Sequence, residues 1–592
     1  MSVILPLMSD SLPENMKTMK LKTYCILAVI SALALTTAQA QTTPTVSDPS
    51  LAHLEKRGAA MQLIVDGKPY LVLGGETDNT ASSDLAYMDT VWPKLAKMNF
   101  NTVLVGIGWD WIEPVEGKYD FHLVDGLLAG ARKNDLHVVF LWFGSWKNGL
   151  SSFAPAWVKA DQQRFPRSRL KSGRAVEVLS PFSDANQQAD ARAYTAFMRH
   201  LREVDSKRHT VVMIQLENEV GLLGDSRDRS ADAEAAFARP VPPELMDDLQ
   251  KNRETLWPEL RQLWVGAGAK TAGTWTEVFG GSTAADEIFQ AWGYARYMNH
   301  LAKAGKREYA VPVFSNTWLV QPEDREPGDF PSGCPEPLVI DIWKAGAPAI
   351  DLNAPDIYLP NFSEWAAQFH RPNNPLFVPE SFGNALGAAN AFYAIGQHSA
   401  LGYSPFGVNN IWRFSEGRSG GNAPEPVALE NLPLARAYAT LAQMSPLILD
   451  AQAKGAIGAA WLNAQQPRQD IQVGNYVVHV ELRQNRRNPA DVPPLGYAIV
   501  ISSGPDEYFV AGLDVQVTFS PNTPGPEIAG LADAETGRFA NGLWISGRKM
   551  NGDDVLLDYN QAAAAANNQS GSGLMFRADG PAVQRVKLYR YH

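Results

Sequence analysis

The chain has 592 residues, 45% of them hydrophobic, and a formal net charge of −11. That length exceeds the ~250 residues of one (β/α)₈ barrel and predicts a second domain or large insertions. The acidic balance excludes nucleic acid and anionic membranes as main partners, because neutralising phosphates takes clustered Lys and Arg; a neutral ligand such as a sugar is compatible with it.

The first 40 residues read as a targeting signal and stand apart from fold reasoning. Lys17, Lys20 and Lys22 precede an apolar run over 24–35, and Ala38-Gln39-Ala40 supplies the small residues of a cleavage site. Residues 1–15 lack this logic, which points to translation starting at Met16 or Met19. The apolar run is too short to span a bilayer, and no later segment holds the ~20 apolar residues that spanning needs. Cys25 leaves with the signal, so Cys334 stands alone and no intramolecular disulfide can form. The expectation is an exported bacterial protein, periplasmic or secreted.

Residues 41–448 carry eight strand-like runs: 70–76, 101–107, 137–143, 211–219, 311–318, 350–358, 376–381 and 403–408. Amphipathic helical patterns lie between them, among others over 88–98, 124–134, 184–204 and 289–304. Alternation of β with α means a parallel sheet, and eight repeats mean closure into an α/β barrel of the TIM type. The fourth and fifth runs are 92 residues apart (311 minus 219), far more than a usual connection, so extra helices or a rim insertion opening near 227–243 are expected there. From about Leu449, over 449–592, helical periodicity stops. Short strand signals at 476–480, 497–501, 508–510, 515–519, 543–545 and 585–589, with turn residues between, predict an all-β sandwich. Residues 562–573 are of low complexity and read as a loop.

Two of the barrel runs end in acids. Val211-Val212-Met213-Ile214 is apolar without alternation, as a strand covered on both faces must be, and Gln215-Leu216-Glu217-Asn218-Glu219 follows at its carboxyl end. The run 375–379 ends in Pro379-Glu380; proline cannot donate to a ladder, which places Glu380 at a strand terminus. Carboxyl ends of barrel strands share one rim, so Glu219 and Glu380 meet although 161 residues separate them (380 minus 219). A paired proton donor and nucleophile is what retaining glycoside cleavage needs. Glu219 fits the acid/base role and Glu380 the nucleophile, with Asn218 beside the reacting carbon and Glu217 in a structural role. The ten His show no pair at metal spacing, with His137, His200 and His300 read as structural, and no phosphate loop or serine elbow occurs. No metal and no organic cofactor is called for. With 16 Trp, 18 Tyr and 24 Phe, rings for stacking on sugars are plentiful; Trp109, Trp142, Trp146 and Trp318 lie near strand ends.

The segment Gly108-Trp109-Asp110-Trp111-Ile112-Glu113-Pro114, with residues 215–221 and Pro379-Glu380 in this order, resembles β-galactosidases of glycoside hydrolase families 35 and 42. The carboxy-terminal part is similar to the accessory domain of a bacterial branch of family 35. The resemblance implies a retaining β-galactosidase with Glu219 as acid/base, Glu380 as nucleophile and Asn218 on the 2-hydroxyl. It further implies substrate contacts from Glu76, Asn316 and Tyr358, the last bonded to the nucleophile, and a galactosylated cell-wall polysaccharide such as xyloglucan as substrate. Val220 stands where many family 35 members have Tyr, residues 142–149 lack the usual acid after the third strand, and Glu76 is not followed by His-Tyr. These departures touch positions that read the sugar's remote hydroxyls. A β-mannosidase or endo-glucanase specificity, and a non-catalytic carbohydrate-binding barrel, are the alternatives.

Overall fold

The computed structural model describes residues 49–411, 428–483, 493–557, 572–577 and 580–592. The expected signal segment lies outside the described residues, as do Cys25 and all but the last two residues of 562–573.

A small antiparallel sheet, His53–Arg57, Ala60–Val65 and Lys68–Tyr70, precedes the barrel and has no counterpart in the eight expected runs. Its first turn places Gly58 at φ +55, where a Cβ would overlap the Ala453 carbonyl, so the turn docks on the helix Pro433–Lys454.

Seven strands form one curled parallel sheet. In spatial order it runs sixth (Leu352–Asp356), fifth (Val313–Trp318), fourth (Val211–Asn218), third (His137–Lys147), second (Thr102–Gly108), first (Val72–Glu76) and eighth (Gly402–Tyr403). All seven residues of the second strand and all eight of the fourth are buried, which is why these runs show no alternation. The seventh run, 376–381, is not a regular strand. Pro375 and Pro379 withhold two N–H donors, and the ladder shrinks to parallel bridges Val378–Tyr403 and Ile357–Ser381. These two bridges still join the eighth strand to the sixth and close the barrel. The sixth strand ends at Asp356 and the eighth holds only two residues, shorter than expected, because the chain there is pinned by isolated bonds such as Ile357 N–H to the Glu380 carbonyl (3.0 Å).

The helices match the amphipathic patterns: Leu85–Lys97, His122–Lys133, Asp184–Asp205 and Thr283–Glu308. Asp84 and Ser183 cap two of them by accepting from Tyr87 and Asn186 N–H. Four shorter helices, Ala231–Phe237, Pro243–Lys251, Pro258–Gly266 and Trp275–Phe279, fill the long connection after the fourth strand. A second rim excursion over 319–339 is stitched to it by the Leu222–Ser332 bridge and by Gly224 N–H to the Gly328 carbonyl (2.8 Å).

The last helix, Pro433–Lys454, runs five residues past Leu449, and the β region starts at Ile457. Two sheets follow. One orders Ile457–Asn463, Leu495–Gly504, Glu507–Leu513, Ala582–Tyr591, Ile528–Ala540 and Leu543–Lys549; the other orders Arg468–Val473, Tyr476–Leu482, Val515–Pro521, Ser572–Met575 and Leu556–Leu557. Ile457–Asn463, Arg468–Val473 and Ile528–Ala540 were not among the expected strands; the last carries Gly, Asp and Arg between its apolar residues, which blurs the alternation. The facing sides make a separate apolar core, including Val478, Val500, Val517 and Val586. The outer side of the first sheet contributes Ile499, Ile501, Phe509 and Val583 to the barrel's own core, and Tyr497 meets Phe392 with ring centroids 4.8 Å apart. The sandwich is therefore fused to the barrel's helical layer by apolar packing.

Candidate active site

The fourth strand ends in an irregular backbone. Glu217 (φ +58) and Glu219 (φ +46) both occupy the left-handed region, which costs a non-glycine residue on the order of 1–3 kcal/mol. Opposite them the third strand bulges: Trp142 pairs with Leu216 but Lys147 pairs with Asn218, so four residues face one. Glu217 fills this bulge. Its buried carboxyl accepts the N–H groups of Gly144 (3.2 Å), Ser145 (3.1 Å) and Trp146 (2.7 Å), so the side chain is committed to holding the bulge. A Cβ on Gly144 would sit 2.7 Å from Glu217 Oε1, so only glycine fits there. Burial raises both Glu217 and Asp190 above the usual carboxylate range.

With the bulge fixed, neighbouring side chains point to the barrel mouth. Glu219 N–H donates to Asn316 Oδ1 (2.8 Å), and Asn148 Nδ2 donates to the Glu219 carboxyl. Glu380 accepts from Tyr358 OH (3.1 Å), Asn218 Nδ2 (3.2 Å) and Asn316 Nδ2 (3.4 Å). Lys147 Nζ donates to Asn218 Oδ1 (2.8 Å) and so fixes the amide with its N–H₂ toward Glu380. One carboxyl oxygen each from Glu219, Asp356 and Glu380 lie within 4.8 Å of one another. Among the described residues no other such group of three acids, His or Cys converges this closely.

Like charges this close cannot all ionise. Burial, then the neighbouring Glu380, pushes the Glu219 carboxyl up to about 8, against the opposing pull of Lys147 and of a hydrogen bond from Asp356. Burial and the facing acids Glu380, Glu219 and Glu76 hold Asp356 far above the usual carboxylate range. Glu76 is fully buried and raised by burial and by Glu380, and neither of its oxygens has a hydrogen-bond partner.

Glu219, Glu380, Asn218, Asn316, Tyr358 and Glu76 thus lie together at the barrel mouth. Trp318 is half-buried at the end of the fifth strand, the register partner of Asp356. Trp109 and Trp142 do not present a face to a ligand. Both are 0% exposed: Trp109 Nε1 donates to Glu113 (2.9 Å), and Trp142 stacks on Phe197 while donating to Asp190 (3.0 Å). Trp146 is likewise buried, donating to the Leu179 carbonyl (3.0 Å). The apolar girth of these rings is used in packing between the sheet and its helices. Sequence reasoning missed Lys147, Asn148 and Asp356. The period of two in a strand puts Asp356 on the same side as Tyr358 and could have found it; the bulge that aims Lys147 and Asn148 leaves no such signal.

A family model described as β-galactosidase, that of glycoside hydrolase family 42, matches residues 82–265, and a model described as a domain of unknown function (DUF5597) matches residues 434–560. Residues 82–265 therefore form a glycoside hydrolase family 42-like domain. Comparison with curated protein sequences finds no match. Among solved structures, β-galactosidase from Bacillus circulans sp. alkalophilus aligns at 16% identity over 64% of this chain and 57% of its own, with a TM-score of 0.42. The catalytic domain of β-amylase from Paenibacillus polymyxa aligns at 11% identity over 60% of this chain and 96% of its own, with a TM-score of 0.42. Exo-β-1,4-mannosidase from Opitutaceae bacterium strain TAV5 aligns at 14% identity over 57% of this chain and 52% of its own, with a TM-score of 0.34. The chain spans 57% of the length of the first of these.

Proposed function

We propose that the chain is a retaining, exo-acting β-galactosidase that removes terminal β-galactosyl residues from oligo- or polysaccharides by double displacement. The observation that carries this reading is the approach of Glu219 and Glu380 oxygens to within 4.8 Å. Retaining pairs stand about 5–5.5 Å apart, whereas inverting pairs leave about 6.5–9.5 Å for a water.

Glu219, protonated at neutral pH by virtue of its raised pKa, gives its proton to the departing glycosidic oxygen. Glu380, oriented by Tyr358, Asn218 and Asn316, attacks the anomeric carbon and forms a glycosyl ester as the bond to the aglycone breaks. Glu219, now a carboxylate, takes a proton from water, whose oxygen displaces Glu380 and restores both acids. Asn218 accepts from Lys147 through Oδ1 and is the neighbour for the 2-hydroxyl; Glu76, with two unpartnered oxygens, offers acceptors to other hydroxyls. Galactosylated cell-wall polysaccharide such as xyloglucan is the proposed substrate class, an exported enzyme in the periplasm or outside the cell its setting, and a tie to family 35 through the carboxy-terminal region part of the same proposal. Residues 142–149 lack the acid that many family 35 members carry after the third strand, so β-mannosidase or endo-glucanase specificity is the second reading.

Proton NMR of the first product formed from aryl β-galactoside tests the mechanism. The β-anomer is expected, and initial release of the α-anomer would refute double displacement. A panel of aryl β-galactoside, β-mannoside and β-glucoside ranks the specificities, with dominant hydrolysis of another member overturning the galactoside assignment.

A further inference from the structure

One carboxyl oxygen each of Glu219 and Asp356 lie within 4.8 Å of one another, and two buried carboxyls that close can bond to each other only if one of them carries a proton. Asp356 is buried at the end of the sixth strand. Asn316 Nδ2 donates to its Oδ2 (2.6 Å), which leaves Oδ1 without any protein N–H or O–H donor. Asn316 also accepts the Glu219 N–H, so a single amide fixes the backbone of one acid and the side chain of the other. An ionised Asp356 would face three further acids with half of its charge unsolvated; a neutral Asp356 needs only an acceptor for its proton, and Glu219 is that acceptor.

We propose that Asp356 is a positioning residue for Glu219: a carboxylic acid held neutral, whose O–H donates to Glu219 and stabilises the carboxylate that Glu219 becomes after giving its proton to the leaving group. The inference rests on Glu219 being the acid/base. The charged or titratable groups facing Glu219 among the described residues are Glu380 from the seventh segment, Lys147 from the third strand, Glu76 from the first, Asp356 from the sixth and Cys334 from the rim. Lys147 is the one cation of this set, and it is engaged with Asn218. Asp356 supplies what Lys147 cannot, a donor that adds no charge and stays in place through both chemical steps. Its own proton does not transfer. No bond to substrate forms on it.

The two substitutions at this position separate a neutral donor from a charged neighbour. In Asp356→Asn an amide N–H₂ replaces the O–H and Oδ1 can still accept from Asn316. The alkaline limb of kcat/KM for phenyl β-galactoside should therefore stay within about 0.3 pH unit of wild type, whatever the loss in rate. In Asp356→Ala the donor is gone, and the limb should move up by about one unit. An ionised Asp356 predicts the reverse: Asp356→Asn would then move the limb down by about one unit or more, and that result overturns the proposal, as does an unmoved limb in Asp356→Ala. Independently of turnover, an infrared difference spectrum of wild type against Asp356→Asn at neutral pH should show loss of a protonated-carboxyl carbonyl band. Its absence refutes the neutral acid even if Asp356→Ala does not fold. Failure of the underlying reading is distinguishable: if azide does not speed dinitrophenyl galactoside turnover by Glu219→Ala, Glu219 is not the acid/base, whatever the Asp356 variants do.

Discussion

Glu219 stands at about 8 where an unperturbed glutamate stands at 4.5, a gap of roughly 3.5 units or about 5 kcal/mol at ~1.4 kcal/mol per unit. Its first cause is burial and its second the Glu380 charge, so the gap belongs to the assembled site. The catalytic consequence follows from leaving-group chemistry. Phenyl β-galactoside needs a proton as its bond breaks, so kcat/KM should fall as pH rises through about 8; dinitrophenyl β-galactoside leaves unaided and should show no fall in that range. Glu219→Gln should cut the phenyl substrate by several orders of magnitude and the dinitrophenyl substrate far less. The same group has a stability signature of definite sign. Below about 4.5 the carboxyl is protonated folded or unfolded and contributes no pH dependence. Between about 4.5 and 8 only the folded state holds the proton, so stability declines as pH rises, by up to about 5 kcal/mol from this group. Glu219→Gln should flatten that part of the urea-midpoint profile. Alkaline limbs that coincide for the two substrates, or a phenyl limb centred near about 5, would refute the assignment of proton donation to a buried, raised Glu219.

Lys147→Met removes the cation that favours the Glu219 carboxylate, so the alkaline limb should move upward while kcat/KM falls by about tenfold or more as Asn218 loses its anchor; a downward shift would contradict the site electrostatics. Glu217→Gln places an amide nitrogen among three backbone N–H donors, which should cost about 2–4 kcal/mol in urea unfolding, and an unchanged midpoint would show that Glu217 does not hold the bulge. Trp318→Ala should raise KM with little change in stability, whereas Trp142→Ala should cost about 3–5 kcal/mol of stability; the opposite pattern would reverse the roles given to exposed and buried rings. Alanine at Asp506, Glu507 or Asp514, which bond Tyr476, Arg585 and Arg483 within the sandwich, should leave turnover within about twofold, and loss of activity in a folded variant would mean the sandwich reaches the chemistry.

Burial on both faces is written directly into the sequence, because a strand covered by helices has no polar side to show. The second and fourth strands were legible for that reason, and so was the break from apolar to acidic residues at Glu217-Asn218-Glu219. Proline wrote the seventh segment's ending at Glu380, while the same prolines kept it from becoming the regular strand its apolar residues suggested. The amphipathic helices were legible because their period differs from that of the strands. Only the tertiary structure decided which tryptophans face inward: Trp142 and Trp318 both sit near strand ends, but Phe197 and Asp190 of the helix Asp184–Asp205 cover Trp142, while Trp318 stays half-buried. Asp356, two residues before Tyr358, was within reach of the strand period, but Lys147 and Asn148 entered the site through a bulge. A bulge has no fixed spacing in the chain, since it depends on which side chains the curved sheet brings face to face. The raised Glu219 is a property of the same kind. Burial and the approach of Glu380 produce it, against the opposing pull of Lys147 and Asp356, and those distances exist only once the barrel has closed.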